Sequence, residues 1–287
     1  MEDWVASVAE WVEGARLRTL PAAIAPVFAG SAVAIGHDGF VLVRALLAMG
    51  VGLALQIGVN YANDYSDGIR GTDEHRVGPQ RLVGSGAAAP AQVKRAAFGC
   101  FGIAMVLGSG LVVLSGQWWW LAIGVACVLA AWYYTGGRNP YGYRGLGEVF
   151  VFIFFGLAAT CGTTWTQLGE LPAITWATAT AMGLMACQVL VCNNLRDIPT
   201  DTKAGKCTLE TMLGDGNSRL LYVVLGIVAV MCLVAHAVVM GWWTLLGLGA
   251  LVFLVPAIRN VLSGAMGMAL AAGLAAPTLV TLFTDDP

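Results

Sequence analysis

Long apolar runs dominate this sequence and restrict the folds open to it. Hydrophobic residues make up 58% of the chain and charged residues only 11%, a composition outside the range of soluble globular domains. The runs continue for about 17 to 25 residues, the length that crosses a bilayer as a helix. Strands of a membrane barrel would instead alternate polar and apolar residues. The sequence therefore predicts an all-α integral membrane protein, and its 37 glycines suit close helix packing in lipid.

Nine apolar segments are candidates for transmembrane helices. They cover approximately residues 20–35, 40–61, 96–115, 118–134, 148–166, 173–191, 220–240, 242–258 and 261–283. Residues 1–15 precede them and begin with acidic side chains set among Trp and Val. A cleavable signal sequence would begin with basic residues, so this segment is predicted to be an amphipathic helix on the membrane surface.

The basic residues indicate how the chain is oriented. With nine spans, fourteen of the 15 Lys and Arg residues fall on one side of the membrane, and only Arg44 falls on the other. Cytoplasmic loops of membrane proteins carry the excess of Lys and Arg. We therefore expect a cytoplasmic N-terminus in a multi-pass protein of the plasma membrane.

The seven cysteines do not indicate a disulfide framework or a zinc site. They are odd in number, lie mostly within apolar runs and include no CxxC pair, and the three histidines are equally dispersed. We interpret the cysteines as small buried apolar residues.

Two polar segments interrupt the apolar pattern and resemble each other. They cover residues 63–86 and 193–216, and they align without a gap at an offset of 130 residues. Four aligned pairs are identical (Asn63 and Asn193, Asp67 and Asp197, Gly84 and Gly214, Gly86 and Gly216), and two are conservative (Asp64 and Asn194, Arg76 and Lys206). The offset spans four helices. The chain is therefore predicted to be one domain, residues 1–287, with four-helix pseudo-repeats at about 16–145 and 146–260 followed by a ninth helix.

The side chains of these polar segments suit a metal-bound polyanion. If each helix continues into its polar segment, residues three and four apart share one face and present oxygen ligands together. Mg²⁺ prefers a few carboxylates, water and substrate phosphates. The candidate metal ligands are Asn63, Asp64, Asp67, Asn193, Asp197 and Asp201. The cations expected to bind a diphosphate are Arg70, Arg76, Arg81, Lys203 and Lys206.

These motifs resemble the UbiA superfamily of intramembrane prenyltransferases, whose members are similar nine-helix proteins with two aspartate-rich motifs. Four blocks, at residues 16–30, 63–86, 134–148 and 193–206, resemble the branch of that superfamily that prenylates 1,4-dihydroxy-2-naphthoate in menaquinone biosynthesis. The resemblance implies Mg²⁺ as cofactor and an isoprenyl diphosphate and the naphthoate as substrates, with loss of CO₂. It implies a cytoplasmic active site and no nucleic-acid partner.

The resemblance also implies roles for residues outside the metal set. The prenyl and acceptor pocket would include Arg18, Tyr134, Phe150 and Phe154, and the catalytic candidates are Asp73, Tyr65 and Arg138. Two departures from the family pattern matter here. The acid after Asp67 is Asp73 rather than a residue four positions on, and Arg138 stands where the family often has the lysine of a YPxxK pattern.

Other functions remain open at this point. Another aromatic acceptor is possible within the same superfamily. A CDP-alcohol phosphotransferase would also use aspartates and Mg²⁺ in a membrane, but its acids form one compact run. A transporter would place ionisable residues within its spans, where this chain has almost none.

Overall fold

The structure is a computed structural model that describes residues 6–71, 81–240 and 251–264. Within these ranges the chain is helical, and its only strand-like pairing is an isolated bridge between Arg144 and Cys207. The prediction of an all-α fold is thereby confirmed.

Nine helices of the described residues carry the architecture. They are α1 (Val8–Ala15), α2 (Pro21–Ile35), α3 (Leu42–Ile69), α4 (Pro90–Ser115), α5 (Trp120–Tyr133), α6 (Gly147–Leu168), α7 (Ala173–Lys203), α8 (Leu209–Met240) and α9 (Leu251–Leu262). Short 3-10 turns lie at Leu17–Thr19 and Tyr141–Tyr143.

Five of these helices, α3, α4, α6, α7 and α8, are long and apolar enough to cross a membrane. A sixth span is possible if α1, bent by 46° against α2, is counted with it, and α5 is a shorter apolar helix. The chain is therefore a multi-pass membrane protein. Most of the predicted span at 261–283, and the start of the one at 242–258, lie outside the described residues.

Three helices extend beyond the predicted apolar spans. The structure continues α3 to Ile69 and α7 to Lys203, whereas the apolar pattern predicted ends near residues 61 and 191. Contacts with neighbouring elements stabilise the added turns: Asn63 of α3 accepts from Thr135, and Asn194 of α7 donates to Glu148. In addition, α8 begins at Leu209 rather than near residue 220, with a break at Gly214, whose φ of 77° favours glycine.

Arg44 holds helix ends together at the side of the bundle away from the polar segments. Its guanidinium donates to the carbonyls of Thr166 and Gln167 (both 3.1 Å) and of Leu114 (2.8 Å). These carbonyls belong to the last turns of α6 and α4, where no backbone donor follows. The one cation predicted on this side therefore has a structural role.

Small residues allow the central helices to approach closely. A Cβ placed on Gly156 of α6 would lie 2.6 Å from the Cα of Gly183 and 2.7 Å from the carbonyl of Ala179, both on α7. A Cβ on Gly30 of α2 would lie 2.6 Å from the carbonyl of Thr160. Such contacts are typical of helices that associate in lipid. Part of α6, Phe152–Cys161, is a wider π-helix.

The N-terminal helix α1 packs against α3. A capping box at Ser7 and Glu10 starts the helix, and the Tyr61 hydroxyl donates to the carbonyl of Trp11 at 2.8 Å. Asn60 donates to the carbonyl of Ala15 at 2.8 Å, just before the chain bends into α2. These bonds place the 15–20 segment beside the polar end of α3.

Candidate active site

A cavity of about 380 Å³ lies inside the bundle, polar at one end and apolar along the rest. The polar end is formed by residues of α3, α7 and the segments that follow them. Its charged and amide side chains are Arg16, Gln56, Asn60, Asn63, Asp67, Arg81, Asn193, Asn194, Asp197 and Lys206. The two polar segments related in sequence therefore meet at one cavity.

The first segment supplies Asn63 and Asp67, one turn apart on α3. The Asn63 side-chain oxygen accepts a hydrogen bond from the Thr135 hydroxyl at 2.8 Å. The buried carboxylate of Asp67 accepts from the Tyr143 hydroxyl at 2.6 Å and lies 3.5 Å from the guanidinium of Arg81. Asp67 is thus held between a hydroxyl donor and a buried cation.

The second segment also pairs acidic side chains with cations on and just after α7. The buried Asp197 carboxylate accepts two hydrogen bonds from Arg196, at 2.7 and 2.8 Å. One turn later, the Asp201 carboxylate lies 3.7 Å from the ammonium group of Lys206. Lys206 and Asp197 both line the cavity, whereas Asp201 lies outside its lining.

The loop at 134–146 joins the two segments. The ring of Tyr143 lies beneath the guanidinium of Arg70 (5.3 Å) on the first segment and the ammonium of Lys206 (5.2 Å) on the second. The Gly145 amide donates to the carbonyl of Cys207 at 2.8 Å. Arg70 also donates to the carbonyls of Thr135 and Gly137. This loop therefore sets the distance between the two acidic motifs.

Aromatic rings line the cavity beyond the polar end. Tyr141 stacks on Phe150 at 4.0 Å, and Phe150 stacks on Phe154 at 6.0 Å. Tyr134 meets Tyr141 edge to face at 5.4 Å. Burial raises the pKa of the Tyr141 hydroxyl, which donates to the carbonyl of Ala130 and stays neutral. The predicted pocket residues Tyr134, Phe150 and Phe154 all line the cavity.

Asp64 and Tyr65 do not line the cavity, although both were site candidates. The two carboxylate oxygens of Asp64 accept from the backbone amides of Leu82 (2.8 Å) and Val83 (3.0 Å). Tyr65 stacks on Trp132 at 6.0 Å, with the Lys94 ammonium over its ring. Asp64 thus anchors the chain after α3, and Tyr65 belongs to an apolar cluster on another face of that helix.

The remaining candidates lie outside the cavity or outside the described residues. Arg18, Arg138, Lys203 and Arg70 are exposed and do not line it. Asp73 and Arg76 fall in the range 72–80, which the structure does not describe.

Sequence reasoning missed several polar residues of the site. Arg16 lines the cavity where Arg18 was expected to act. Gln56 donates to Thr19 at 3.1 Å and to Asn60 at 3.3 Å, and all three line the cavity. The sequence does contain a pattern that predicts this group. Polar residues recur every three or four positions and so share one helix face, at Gln56, Asn60, Asn63 and Asp67. No comparable sequence pattern predicted a role for Tyr143.

The donor set fits a metal that is also bound by substrate. No group of three or more His, Cys, Asp or Glu side chains that could hold a metal occurs within residues 6–71, 81–240 and 251–264. What the cavity offers is one carboxylate from each segment, Asp67 and Asp197, with the amide groups of Asn63 and Asn193. Few carboxylates plus substrate phosphates are the preferred surroundings of Mg²⁺.

Comparisons with known proteins agree with this geometry. Residues 23–271 match the model of the UbiA prenyltransferase family. A protein from Mycobacterium tuberculosis named 1,4-dihydroxy-2-naphthoate octaprenyltransferase is 49% identical over 264 residues, which are 92% of this chain and 89% of that protein.

Two solved structures share the fold at low sequence identity. The apo structure of a UbiA homolog from Aeropyrum pernix K1 superposes with a TM-score of 0.72 at 16% identity and covers 90% of this chain and 94% of its own. A UbiA homolog from Archaeoglobus fulgidus, bound to DMAPP and Mg²⁺, has a TM-score of 0.65 at 13% identity and covers 96% and 97%.

Proposed function

Because this chain belongs to the UbiA prenyltransferase family, we propose that it transfers a polyprenyl group from an isoprenyl diphosphate to 1,4-dihydroxy-2-naphthoate. The immediate products are CO₂, diphosphate and the hydroquinone form of demethylmenaquinone, in menaquinone biosynthesis. One observation carries the proposal. Asp67 and Asp197, from two segments related in sequence, line one end of a cavity whose other walls are apolar and aromatic.

The polar end binds the diphosphate. Asn63, Asp67, Asn193 and Asp197 would hold Mg²⁺, which when bound neutralises charge on the diphosphate as it leaves. Arg81 and Lys206 line the same end and supply fixed positive charge. Charge placed in advance where the leaving group develops its negative charge lowers the barrier.

The aromatic walls stabilise the allylic cation left after ionisation. Tyr134, Phe150 and Phe154 present ring surfaces to the cavity, and a cation over a ring gains about 0.5 to 2 kcal/mol. The apolar walls also exclude the water that would otherwise capture the cation.

The acceptor binds where a cation can meet its carboxylate. Arg16 lines the cavity and Arg18 is exposed, so we assign this role to Arg16 instead of Arg18. The ring carbon that carries the carboxylate forms the new bond to the prenyl group. The bond to CO₂ then breaks, and its electron pair restores the aromatic ring. This route leaves no ring proton to be removed, so it requires neither Tyr65 nor Asp73 as a base.

The topology is part of the proposal. We infer nine transmembrane helices in one domain of two pseudo-repeats, a cytoplasmic N-terminus, and a plasma-membrane location with the polar end of the cavity facing the cytoplasm. Supporting this, Asp67 and Asp197 share one end of the cavity, and with nine spans all but one of the 15 basic residues fall on one side of the membrane, as is typical of cytoplasmic loops.

The test is a transfer assay with purified protein, a radiolabelled isoprenyl diphosphate, Mg²⁺ and a panel of aromatic acceptors. We expect a prenylated, decarboxylated product from the naphthoate, with Asp67→Asn and Asp197→Asn each lowering turnover by about a hundredfold or more. Asp38→Asn, in the turn between α2 and α3, is the matched control and should retain activity. Failure to prenylate the naphthoate would refute the proposal. Faster transfer to another compound of the panel would identify that compound as the acceptor instead.

A further inference from the structure

Two buried glutamates lie behind the cavity wall and take no part in the reaction described above. Glu148 is in the first turn of α6 and is 8% exposed, and Glu210 is in the first turn of α8 and is fully buried. Their carboxyl groups lie next to each other. Acidic side chains are seldom buried to this degree without a partner, so this contact must account for their burial.

The contact requires a shared proton. Glu148 Oε1 accepts from the Asn194 amide at 3.2 Å, and within the described residues no protein donor bonds to Glu148 Oε2 or to either oxygen of Glu210. An ionised carboxylate only accepts hydrogen bonds, and two adjacent anions in an apolar interior repel each other. The titratable groups that face the pair are Tyr134 and Cys187, and neither supplies a positive charge.

The pair connects three helices at the polar end of the cavity. Glu148 lies in the first turn of α6 and Glu210 in the first turn of α8, while Asn194 lies on α7. Asn194 is next to Asn193 and three residues before Asp197, and all three line the cavity. The Cys187 thiol, two turns earlier on the same face of α7, donates to the backbone carbonyl of Glu148 at 3.1 Å.

We propose that Glu148 and Glu210 are positioning residues, a proton-sharing pair that acts through Asn194 to fix Asn193 and Asp197 at the diphosphate end. The inference deepens the proposed function and rests on it for its activity readout. When the shared proton is lost at alkaline pH, two adjacent anions remain and separate, and the α7 face moves with them. Both activity and thermal stability should then fall.

The test uses an amide that cannot ionise. In Glu210→Gln the amide keeps a donor toward Glu148, so kcat/KM for the prenyl diphosphate near neutral pH should stay within about threefold of the wild type. The loss of activity on the alkaline side should disappear. Glu210→Ala removes the donor, and kcat/KM for the prenyl diphosphate should fall by about tenfold or more at every pH while KM for the naphthoate is unchanged.

The control is Glu170→Gln, which changes an exposed glutamate in the turn between α6 and α7; its pH profile should match the wild type. If Glu210→Ala does not fold, Glu148→Gln serves as the second variant, because its amide donates to Glu210. An alkaline limb that persists in the Gln variants, or an unchanged kcat/KM in Glu210→Ala, would overturn the inference.

A second readout separates this inference from the proposed reaction. Thermal unfolding in detergent without substrate, followed across pH, should show an alkaline loss of stability in the wild type that is absent from Glu210→Gln. If the wild type and Glu210→Gln gave identical unfolding profiles, the proposal that the two glutamates share a proton would be refuted. If the wild type transfers no prenyl group to the naphthoate, the proposed reaction is wrong. The unfolding profiles across pH still decide the role of the glutamates.

Discussion

Asp64 and Asp67 are three residues apart on α3, yet their carboxylates have different partners. Asp67 lines the cavity beside Arg81 and Tyr143, whereas Asp64 binds the backbone amides of Leu82 and Val83. The motif thus combines one residue that lines the cavity with one that holds the chain after the helix. A motif match alone gives both aspartates the same role.

The role of Asp64 predicts a defect in stability. In Asp64→Asn an amide NH₂ faces a backbone N–H, so one hydrogen bond is lost and a buried donor is left unpaired. We expect a loss of about 1 to 3 kcal/mol, measured by thermal unfolding in detergent, with the Mg²⁺ dependence of the remaining activity unchanged. Asp38→Asn is the control at an exposed turn. A normal unfolding temperature with altered Mg²⁺ dependence would return Asp64 to the metal site.

We expect a defect in catalysis when the hydrogen bond from Tyr143 to Asp67 is removed. Tyr143→Phe keeps the ring that contacts Arg70 and Lys206 but removes the donor to Asp67. Because hydrogen bonds to charged groups contribute about 1.5 to 3 kcal/mol, kcat/KM for the prenyl diphosphate should fall by about tenfold or more. Tyr133→Phe, on the exposed side of α5, should behave as the wild type. Equal kinetics for the two variants would mean that this hydroxyl does not orient Asp67.

At the scale of helices, the sequence predicted positions better than lengths. Apolar runs located most of the helices correctly, because burial in lipid depends on composition. The runs could not show that α3 and α7 continue through Asn and Asp, residues that compete with the helix backbone for hydrogen bonds. Contacts such as Thr135 with Asn63, distant in sequence, stabilise those turns. Nor did any pattern indicate the π-helix in α6.

The close approach of α6 and α7 predicts a strong dependence on Gly156. In Gly156→Ala the new methyl group would meet the backbone of Gly183 and Ala179, which cannot move aside as a flexible side chain does. We expect a loss of about 1 to 3 kcal/mol in thermal unfolding. The matched control is Gly124→Ala in α5, where no atom lies within 4 Å of the added methyl group. Equal stability of the two variants would show that the helices can separate without cost.

At the scale of the whole molecule, the internal repeat was the most informative feature of the sequence. It predicted that the segments containing Asp67 and Asp197 converge, and both line one cavity. It could not predict Arg16 or Tyr143, which lie outside the repeated segments and reach the site only through the bend before α2 and the loop before α6. Those contacts depend on how the halves pack, which no local pattern records.

The proposed orientation predicts which side of the membrane can label Cys207. This thiol is exposed in the turn between α7 and α8, beside Lys206, and all seven cysteines are free. A membrane-impermeant maleimide should therefore label the protein in inverted vesicles, where the cytoplasmic face is outward, and leave it unlabelled in intact spheroplasts. Cys207→Ser should abolish the signal, because the other six cysteines all lie within the apolar helices α4 to α8, where an impermeant reagent does not reach them. Labelling in spheroplasts would place the polar end of the cavity outside the cell, where a cytoplasmic diphosphate substrate could not reach it.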